Sequence, residues 1–309
     1  METCGILPVH KPGGPTSHDV VDRVRRLYDT RRVGHTGTLD PLAEGLLVLC
    51  LGSATKISRY LSGLEKTYRA TIRLGRRTTT GDHGGATIST ADTRQIDQAM
   101  VESALGRFRG KIRQQVPAYA AVKVQGRPLY AYAREGREVP VVVREVEIFR
   151  LVLEEFANPE LIMTVRCSGG TYIRALADDL GSALGCGGCL VSLLRTHVGG
   201  FDDREAEKLE DLEQRTREER LQRLRPIEKF LPFPFVTIND DKIRYIRQGL
   251  PVIPRGISEL PDREFSRGDR IVLADEEGHA LAIAIAACSV EELVDDPCDE
   301  WCKYERVLI

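Results

Sequence analysis

The sequence predicts a mixed α/β protein of the α+β class, divided into two domains. At 309 residues the chain is longer than most single domains. Its first part combines apolar strands with amphipathic helices, whereas its last part has short strands between turns rich in Gly, Pro and Asp. A charged stretch at 208–225, ended by Pro226, separates the two. We therefore expect domains at 1–228 and 229–309, the first with a largely antiparallel sheet and the second a small β-barrel.

Hydrophobic periodicity places the individual elements. Strands are expected where apolar residues alternate or run together, and helices where they recur every three to four residues. The predicted strands are 6–9, 46–51, 67–74, 141–153, 161–167, 236–238, 270–273, 280–286 and 304–309. The predicted helices are 17–28, 53–61, 94–105, 172–184, 208–225 and 241–248, with Ser17, Ser53 and Thr171 as N-caps of the first, second and fourth.

The segment GHTGTLDPLAEG at 34–45 is the most informative stretch of the first domain. Three glycines, two threonines and a proline predict an ordered loop whose backbone can approach a ligand closely. Asp40 lies at its centre, and the apolar run 46–51 anchors it on the core. Asp followed by Pro is also an ordinary turn initiator. From these residues alone, Asp40 is either a reactive group or a turn cap.

Charge is unevenly distributed along the chain. The formal net charge is −2, but residues 1–150 carry 24 Lys and Arg against 15 Asp and Glu, and the remainder carries 20 against 31. The basic half contains the Asp40 loop. Within it, residues 107–132 interleave aromatics with cations, which suits stacking of unpaired bases along a charged groove. Aromatics pointing into a core and cations pointing out would give the same pattern.

The cysteine spacing and the N-terminal sequence bear on whether the protein binds a metal, is secreted or enters a membrane. Cys186 and Cys189 form a CxxC pair and Cys298 and Cys302 lie four apart, but the second spacing is loose for zinc, and the first lies in a glycine-rich connection that needs small residues. We expect no metal and no cofactor, and the absence of GxGxxG and GxxxxGK[ST] is consistent with this expectation without establishing it. No long apolar run and no signal-peptide pattern is present, so we expect a cytoplasmic protein that does not enter a membrane.

The loop at 34–45 resembles the signature loop of the TruB family of tRNA pseudouridine synthases. The resemblance extends to Lys11-Pro12, to AYAAVKVQGRPLYAYAREG at 118–136, to GTYIR at 170–174 and to LVSLLR at 190–195. Leu194 departs from it, since bacterial members often have a second arginine there. The resemblance implies a pseudouridine synthase catalytic domain followed by a PUA-like RNA-binding domain. It also implies isomerisation of uridine to pseudouridine at position 55, in the T loop of tRNA.

The resemblance also assigns residues. It makes Asp40 the nucleophile, Arg174 its partner and Tyr68 the aromatic that stacks on a flipped-out base. The substrate-binding residues that it implies are His35, Lys11, Tyr172 and Leu193. Arg174 has a simpler explanation from spacing alone, because Asp178 lies four residues further along the predicted helix and could pair with it.

The residues leave some questions open. Asp40 could attack C1′ of the ribose, add to C6 of the ring or remove a sugar proton. The expected partner is the T-arm stem-loop of tRNA, and we expect a monomer. Two other functions stay open: a guide-RNA-dependent synthase of the dyskerin type, which shares this catalytic core, and an RNA-binding or tRNA-folding module in which catalysis is secondary.

Overall fold

The computed structural model describes residues 3–261, 263–295 and 300–309. The strands are β1 Gly5–Lys11, β2 Val33–His35, β3 Glu44–Leu51, β4 Lys66–Leu74, β5 Arg76–Thr78, β6 Thr87–Thr90, β7 Gly110–Gln115, β8 Lys123–Val124, β9 Arg127–Pro128, β10 Val143–Ala157, β11 Glu160–Cys167, β12 Gly188–Val198, β13 Phe201–Asp202, β14 Glu207–Lys208, β15 Phe235–Ile238, β16 Ile257–Glu259, β17 Arg270–Ala274, β18 Ala280–Ala286 and β19 Cys302–Val307. The α-helices are α1 Ser17–Leu27, α2 Ser58–Ser62, α3 Gln98–Leu105, α4 Leu129–Arg134, α5 Ile173–Ala183, α6 Leu209–Gln214, α7 Arg217–Leu221, α8 Ile243–Arg247 and α9 Val290–Asp295.

One large sheet organises the first part of the chain. Its strand order is β14-β1-β3-β12-β4-β11-β10-β7, with β2 added beside β3 and β13 beside β12. All pairs are antiparallel except β1 with β14 and β3 with β12. In β4, Tyr68, Ala70, Ile72 and Leu74 are buried and alternate with less buried residues, as their period-2 pattern predicts. The expected largely antiparallel sheet is confirmed.

The second part of the chain forms a smaller sheet. Its order is β16-β15-β17-β18-β19, with β15 and β17 parallel and the other pairs antiparallel. Strand β3 lies between this sheet and the core of the large sheet. Leu47, Leu49 and Leu51 belong to the core of the large sheet. Leu46, Val48 and Cys50, from the opposite face of β3, share a second core with residues of the smaller sheet, including Val272 and Ile283.

The predicted helix caps are wrong. Helix α1 is capped by Thr16, which forms a reciprocal capping box with Asp19. Ser17 is instead buried and bonded to the Asp40 loop. The segment after β3 starts as a 3₁₀ helix with no side-chain cap, and the Ser53 hydroxyl lies 2.9 Å from the Cys4 thiol. Helix α5 also lacks a side-chain cap, because the Thr171 hydroxyl donates to the Ser168 carbonyl.

Some predicted helix boundaries also change. The expected helix at 94–105 begins only at Gln98, where Asp97 accepts a hydrogen bond from the amide of Met100. The charged stretch at 208–225 is not continuous. It forms α6 and α7, with Arg215 and Thr216 extended between them, and Thr216 caps the second helix. The turn predicted around residues 158–159 does join β10 to β11.

The glycines of the CxxC segment serve backbone packing. A Cβ added at Gly181 would lie 2.1 Å from the carbonyl carbon of Gly187, so α5 meets the chain entering β12 without space for a side chain. Cys186 and Cys189 are buried in this contact. In the described parts of the chain, no cluster of three or more His, Cys, Asp and Glu side chains suits a metal ion. Cys298 lies outside the described residues.

No helix within the described ranges has the length and apolar character needed to cross a membrane.

Candidate active site

Asp40 and Arg174 form the centre of the site. Arg174 Nε donates to Asp40 Oδ2 at 2.7 Å, and Nη2 lies 3.2 Å from Oδ1, so the guanidinium contacts both carboxylate oxygens. The arginine is 4% exposed, whereas the aspartate side chain is 32% exposed. The pair therefore has a buried cation and a carboxylate that remains open to an incoming molecule.

The backbone of two other segments fixes the arginine. Arg174 Nη1 donates to the Thr80 carbonyl at 2.7 Å, and Nη2 donates to the Tyr119 carbonyl at 3.0 Å. Asp178, the partner suggested by helical spacing, instead accepts two hydrogen bonds from Arg77. The intrahelical pair is therefore wrong, and Arg174 joins α5, two loops and Asp40.

Tyr68 lies on β4 directly opposite Val165 of β11 and Arg195 of β12. Its side chain is buried. Burial raises the pKa of the Tyr68 phenol, an effect that the charge and hydrogen bond of Arg195 partly oppose. Tyr68 therefore stays neutral at physiological pH and keeps its hydroxyl proton. Leu193 lies two residues before Arg195 on β12, is also buried and belongs to the core of the large sheet.

Tyr172 immediately precedes α5 and is held by its backbone. Its amide donates to the Gln114 side-chain oxygen at 3.0 Å, and its carbonyl accepts from the Gln114 side-chain nitrogen at 3.2 Å. Gln114 is itself buried. The Tyr172 ring packs against the small cluster of Val116, Ala120 and Leu129. Gln114 was not predicted as a site residue, and its isolated position in the sequence gave no signal.

His35 ends β2 at the start of the loop. Its Nδ1 atom is buried and has no hydrogen-bond partner among the residues that the structure describes. Burial lowers the pKa of His35, and the nearby positive charge of Arg195 lowers it further. The imidazole is therefore neutral, and its Nδ1 atom remains available for a hydrogen bond. A buried polar atom without a partner costs free energy, which a bound ligand could recover.

Lys11 lies beneath the loop. It is fully buried, and its Nζ donates to the carbonyls of Ala43 at 2.6 Å, Pro12 at 2.8 Å and Pro41 at 3.3 Å. Two of these acceptors flank the turn that follows Asp40, in which the Ala43 amide donates to the Asp40 carbonyl. All three Lys11 donors are thus directed at backbone, and the lysine contacts the loop that presents Asp40.

Two further residues, one on α1 and one on β12, bond to the loop and were not predicted as site residues. The Ser17 hydroxyl donates to the Leu39 carbonyl and accepts from the Leu39 amide, which fixes the residue before Asp40. Arg195 Nε donates to Leu46 O at 2.7 Å, Nη2 to Gly37 O at 3.1 Å, and Nη1 lies 3.5 Å from Thr38 O. Arg195 belongs to the stretch 190–195 already singled out, but nothing local shows that a strand arginine is buried.

The structure thus brings Arg174 into contact with Asp40, and Tyr68 lies near enough for the charge of Asp40 to raise the pKa of its phenol. Two solved chains share the fold over almost the whole length of this chain. One, described as "Structure of H/ACA RNP bound to a substrate RNA containing 2'-deoxyuridine", has a TM-score of 0.77 and 24% identity, over 99% of this chain and 86% of that one. Another, from a "Cbf5-Nop10-Gar1 Complex", has a TM-score of 0.75 and 25% identity, over 99% and 85%. Both matches cover almost the whole of this chain, so it shares the fold of these solved proteins.

The sequence comparisons specify the family. Residues 25–173 match the description "TruB family pseudouridylate synthase (N terminal domain)", residues 174–232 match "tRNA pseudouridylate synthase B C-terminal domain", and residues 234–295 match "PUA domain". A relative in Burkholderia mallei (strain NCTC 10247), named tRNA pseudouridine synthase B, is 43% identical over 92% of this chain and 93% of its own length. One of the same name in Oleidesulfovibrio alaskensis is 41% identical over 92% and 91%. The chain belongs to the TruB family.

Proposed function

We propose that this enzyme isomerises uridine to pseudouridine at position 55 in the T loop of tRNA, with Asp40 as the nucleophile acting on a flipped-out base. The observation that carries the proposal is the Asp40–Arg174 pair, in which a buried guanidinium orients a carboxylate that stays accessible. The curated relatives are named for tRNA, which supports tRNA as the substrate class.

The reaction rearranges bonds within one nucleoside and needs few groups from the protein. The bond between C1′ and N1 breaks, a bond between C1′ and C5 forms, N1 gains a proton, and the hydrogen on C5 leaves as a proton. Substrate and product are isomers, so no electron acceptor or phosphate donor is consumed. Asp40 can serve by attacking C1′, by adding to C6 or by removing a sugar proton. In each route an oriented, ionised carboxylate is the group required.

The surroundings of Asp40 suit an activated sugar. Tyr68 and Leu193 present buried surface that excludes water from the reacting atoms. Because burial keeps the Tyr68 phenol protonated, its hydroxyl can donate or relay a proton while the ring stacks on uracil. Tyr172, held by Gln114, supplies another aromatic wall beside Arg174.

The loop can help to extract the target base. Base flipping costs a few kcal/mol of lost stacking and pairing. We assign His35 to the space that the base vacates, since its unpartnered Nδ1 offers a polar contact to RNA. Lys11 contributes to substrate binding by holding the backbone of residues 41–43.

The two domains have different proposed roles. We propose that residues 1–228 are catalytic, with their excess of cations facing the phosphates, and that residues 229–309 bind RNA as a PUA-like domain, acting in a cytoplasmic monomer. The T-arm stem-loop is the recognised element. The matched PUA description supports the second assignment.

The test is tritium release from a T-arm stem-loop labelled at C5 of its uridines, with parent and Asp40→Asn proteins and the Kd of each for unlabelled RNA. We expect release by the parent alone and similar Kd values, since the amide keeps the shape of the carboxylate without its charge. Release by both proteins would remove Asp40 from the chemistry. Binding without release by either would favour a guide-dependent synthase or an RNA-folding module.

A further inference from the structure

Arg195 is a buried cation that is 1% exposed. Within residues 3–261, 263–295 and 300–309, no carboxylate forms an ion pair with it. Burying a guanidinium destabilises the folded protein unless its donors are satisfied. Its guanidinium donates to backbone carbonyls within residues 37–46 and also forms a hydrogen bond with the Tyr68 phenol. An apolar side chain at this position would avoid the desolvation cost but could not form these hydrogen bonds, so we ask what the hydrogen bonds hold in place.

The acceptors of Arg195 lie on both sides of Asp40. Gly37 and Thr38 precede the aspartate by three and two residues, and Leu46 follows it by six. A planar guanidinium can hold several acceptors in a fixed arrangement, which a lysine ammonium does with less directional control. The side chain therefore fixes the two ends of the loop relative to each other.

The backbone of Arg195 reinforces the same contact. Arg195 pairs with Gly45 across the parallel ladder of β12 and β3. A Cβ added at Gly45 would lie 2.4 Å from the Arg195 carbonyl oxygen, so glycine is required for this approach. Across the other ladder Arg195 is directly opposite Tyr68, whose phenol it contacts. One residue thus touches the loop of the proposed nucleophile and the proposed stacking tyrosine.

We propose that Arg195 is a positioning residue that sets the geometry of Asp40 relative to Tyr68, and so controls the rate of the chemical step without contacting RNA. This inference rests on the proposed function. It differs from a purely structural role, in which loss of Arg195 would lower stability but leave each folded molecule as active as the parent. It differs equally from a role in RNA binding, because the side chain is enclosed by protein.

The test compares three variants by single-turnover tritium release per folded molecule, Kd for the stem-loop and thermal unfolding. Arg195→Met removes the N–H donors. Arg195→Lys keeps a buried cation but not the planar guanidinium that holds several acceptors at once. Arg220→Met is the matched control, since Arg220 also donates to carbonyls, those of Leu27, Arg215 and Thr216, away from the Asp40 loop.

A misplacement of about 1 Å costs roughly 100-fold in rate, so we expect a loss of that order for Arg195→Met. We expect Arg195→Lys to recover about 10-fold of it, because one cation can still hold part of the loop. Kd should stay within about 3-fold in both. Arg220→Met should lose stability and retain the parental rate.

Two outcomes would overturn the inference. The first is a parental rate per folded molecule in Arg195→Met or, if that variant does not fold, in Arg195→Lys. The second is a rise in Kd that accounts for the whole loss. Failure of the proposed function is distinguishable, because then the parent itself would release no tritium from the T-arm RNA.

Discussion

Two regions meet at strand β3 and differ in how they are stabilised. The loop region comprises residues 34–45 with Lys11, Arg174 and Arg195. The domain contact comprises the opposite face of β3 with its partners on the smaller sheet. In the loop region, buried cations bond to carbonyls and to Asp40. In the domain contact, apolar side chains such as Val48 and Ile283 are fully buried together.

The charges of the domain contact lie at its edge. Glu305 pairs with Arg59 at 2.5 Å and with Arg270 at 2.7 Å, and both arginine side chains are about half exposed. Exposed pairs contribute at most about 1 kcal/mol each. Polar groups in the loop region thus fix the position of one carboxylate, while apolar packing holds the domain contact together. Variants in the loop region should therefore affect rate in addition to stability, and variants in the domain contact should affect stability alone.

The largest effect is expected at the loop end, from Gly45→Ala. Gly45 has φ +96° and no space for a Cβ, whereas Gly14 has φ +104° and nothing within 4 Å of that position. Backbone strain and overpacking each cost about 1 to 3 kcal/mol, so we expect a loss of about 4 kcal/mol for Gly45→Ala. Gly14→Ala should lose about 1 kcal/mol, from strain alone. Urea unfolding measures both, and equal losses would show that the close approach to β12 is unimportant.

A smaller effect is expected in the domain contact, from Ile283→Ala. Ile283 is fully buried, so the variant should lose about 2 to 3 kcal/mol of unfolding free energy. Single-turnover tritium release per folded molecule should stay at the parental value. A large fall in that rate, with the protein still folded, would mean that the domain contact also positions Asp40, and the distinction between the two regions would fail.

The smallest effect concerns pH and Lys11. Burial lowers the pKa of Lys11 from 10.5 to about 8, against the opposing charges of Glu44 and Asp40. Between these pKa values the unfolded chain binds more protons than the folded chain, so stability rises with pH. In Lys11→Met this contribution disappears, and the gain between about pH 8 and 10 should shrink by about 2 kcal/mol. Unfolding in urea across that range measures it. The same pH slope in both proteins would contradict a buried ammonium.

The periodicity of apolar residues predicted the buried strands correctly. The alternation in β4 and the apolar run of β3 each matched a strand, because strand burial has a period that the sequence displays. Caps were less predictable. Ser17 has the right chemistry for a cap, but its hydroxyl bonds to Leu39, a residue that is remote in sequence, and Thr16 takes the cap. Competition between local and distant partners is decided by tertiary structure.

Some residues of the site could be predicted from the sequence, and others could be found only in the structure. Asp40, Tyr68 and Arg174 were predicted because their motifs resemble those of a known family, and the structure places Arg174 against Asp40. Spacing alone favoured Asp178 as the partner of Arg174, since helical neighbours are visible in a sequence and contacts across 134 residues are not. Arg195 was missed for a related reason. A cation in a strand is normally solvated, and its acceptors here are carbonyls, which every residue has.

In the proposed function the Asp40–Arg174 pair positions a reacting carboxylate, and a second pair, Arg77–Asp178, provides the control. Arg77 contacts both oxygens of Asp178, as Arg174 does those of Asp40, but the Arg77 side chain is 45% exposed. The measurement is single-turnover tritium release from the T-arm stem-loop by Arg174→Lys and Arg77→Lys, corrected for the folded fraction. We predict a loss of about 100-fold or more for Arg174→Lys, because lysine cannot hold both oxygens, and less than about 2-fold for Arg77→Lys. Equal rates in the two variants would contradict the account.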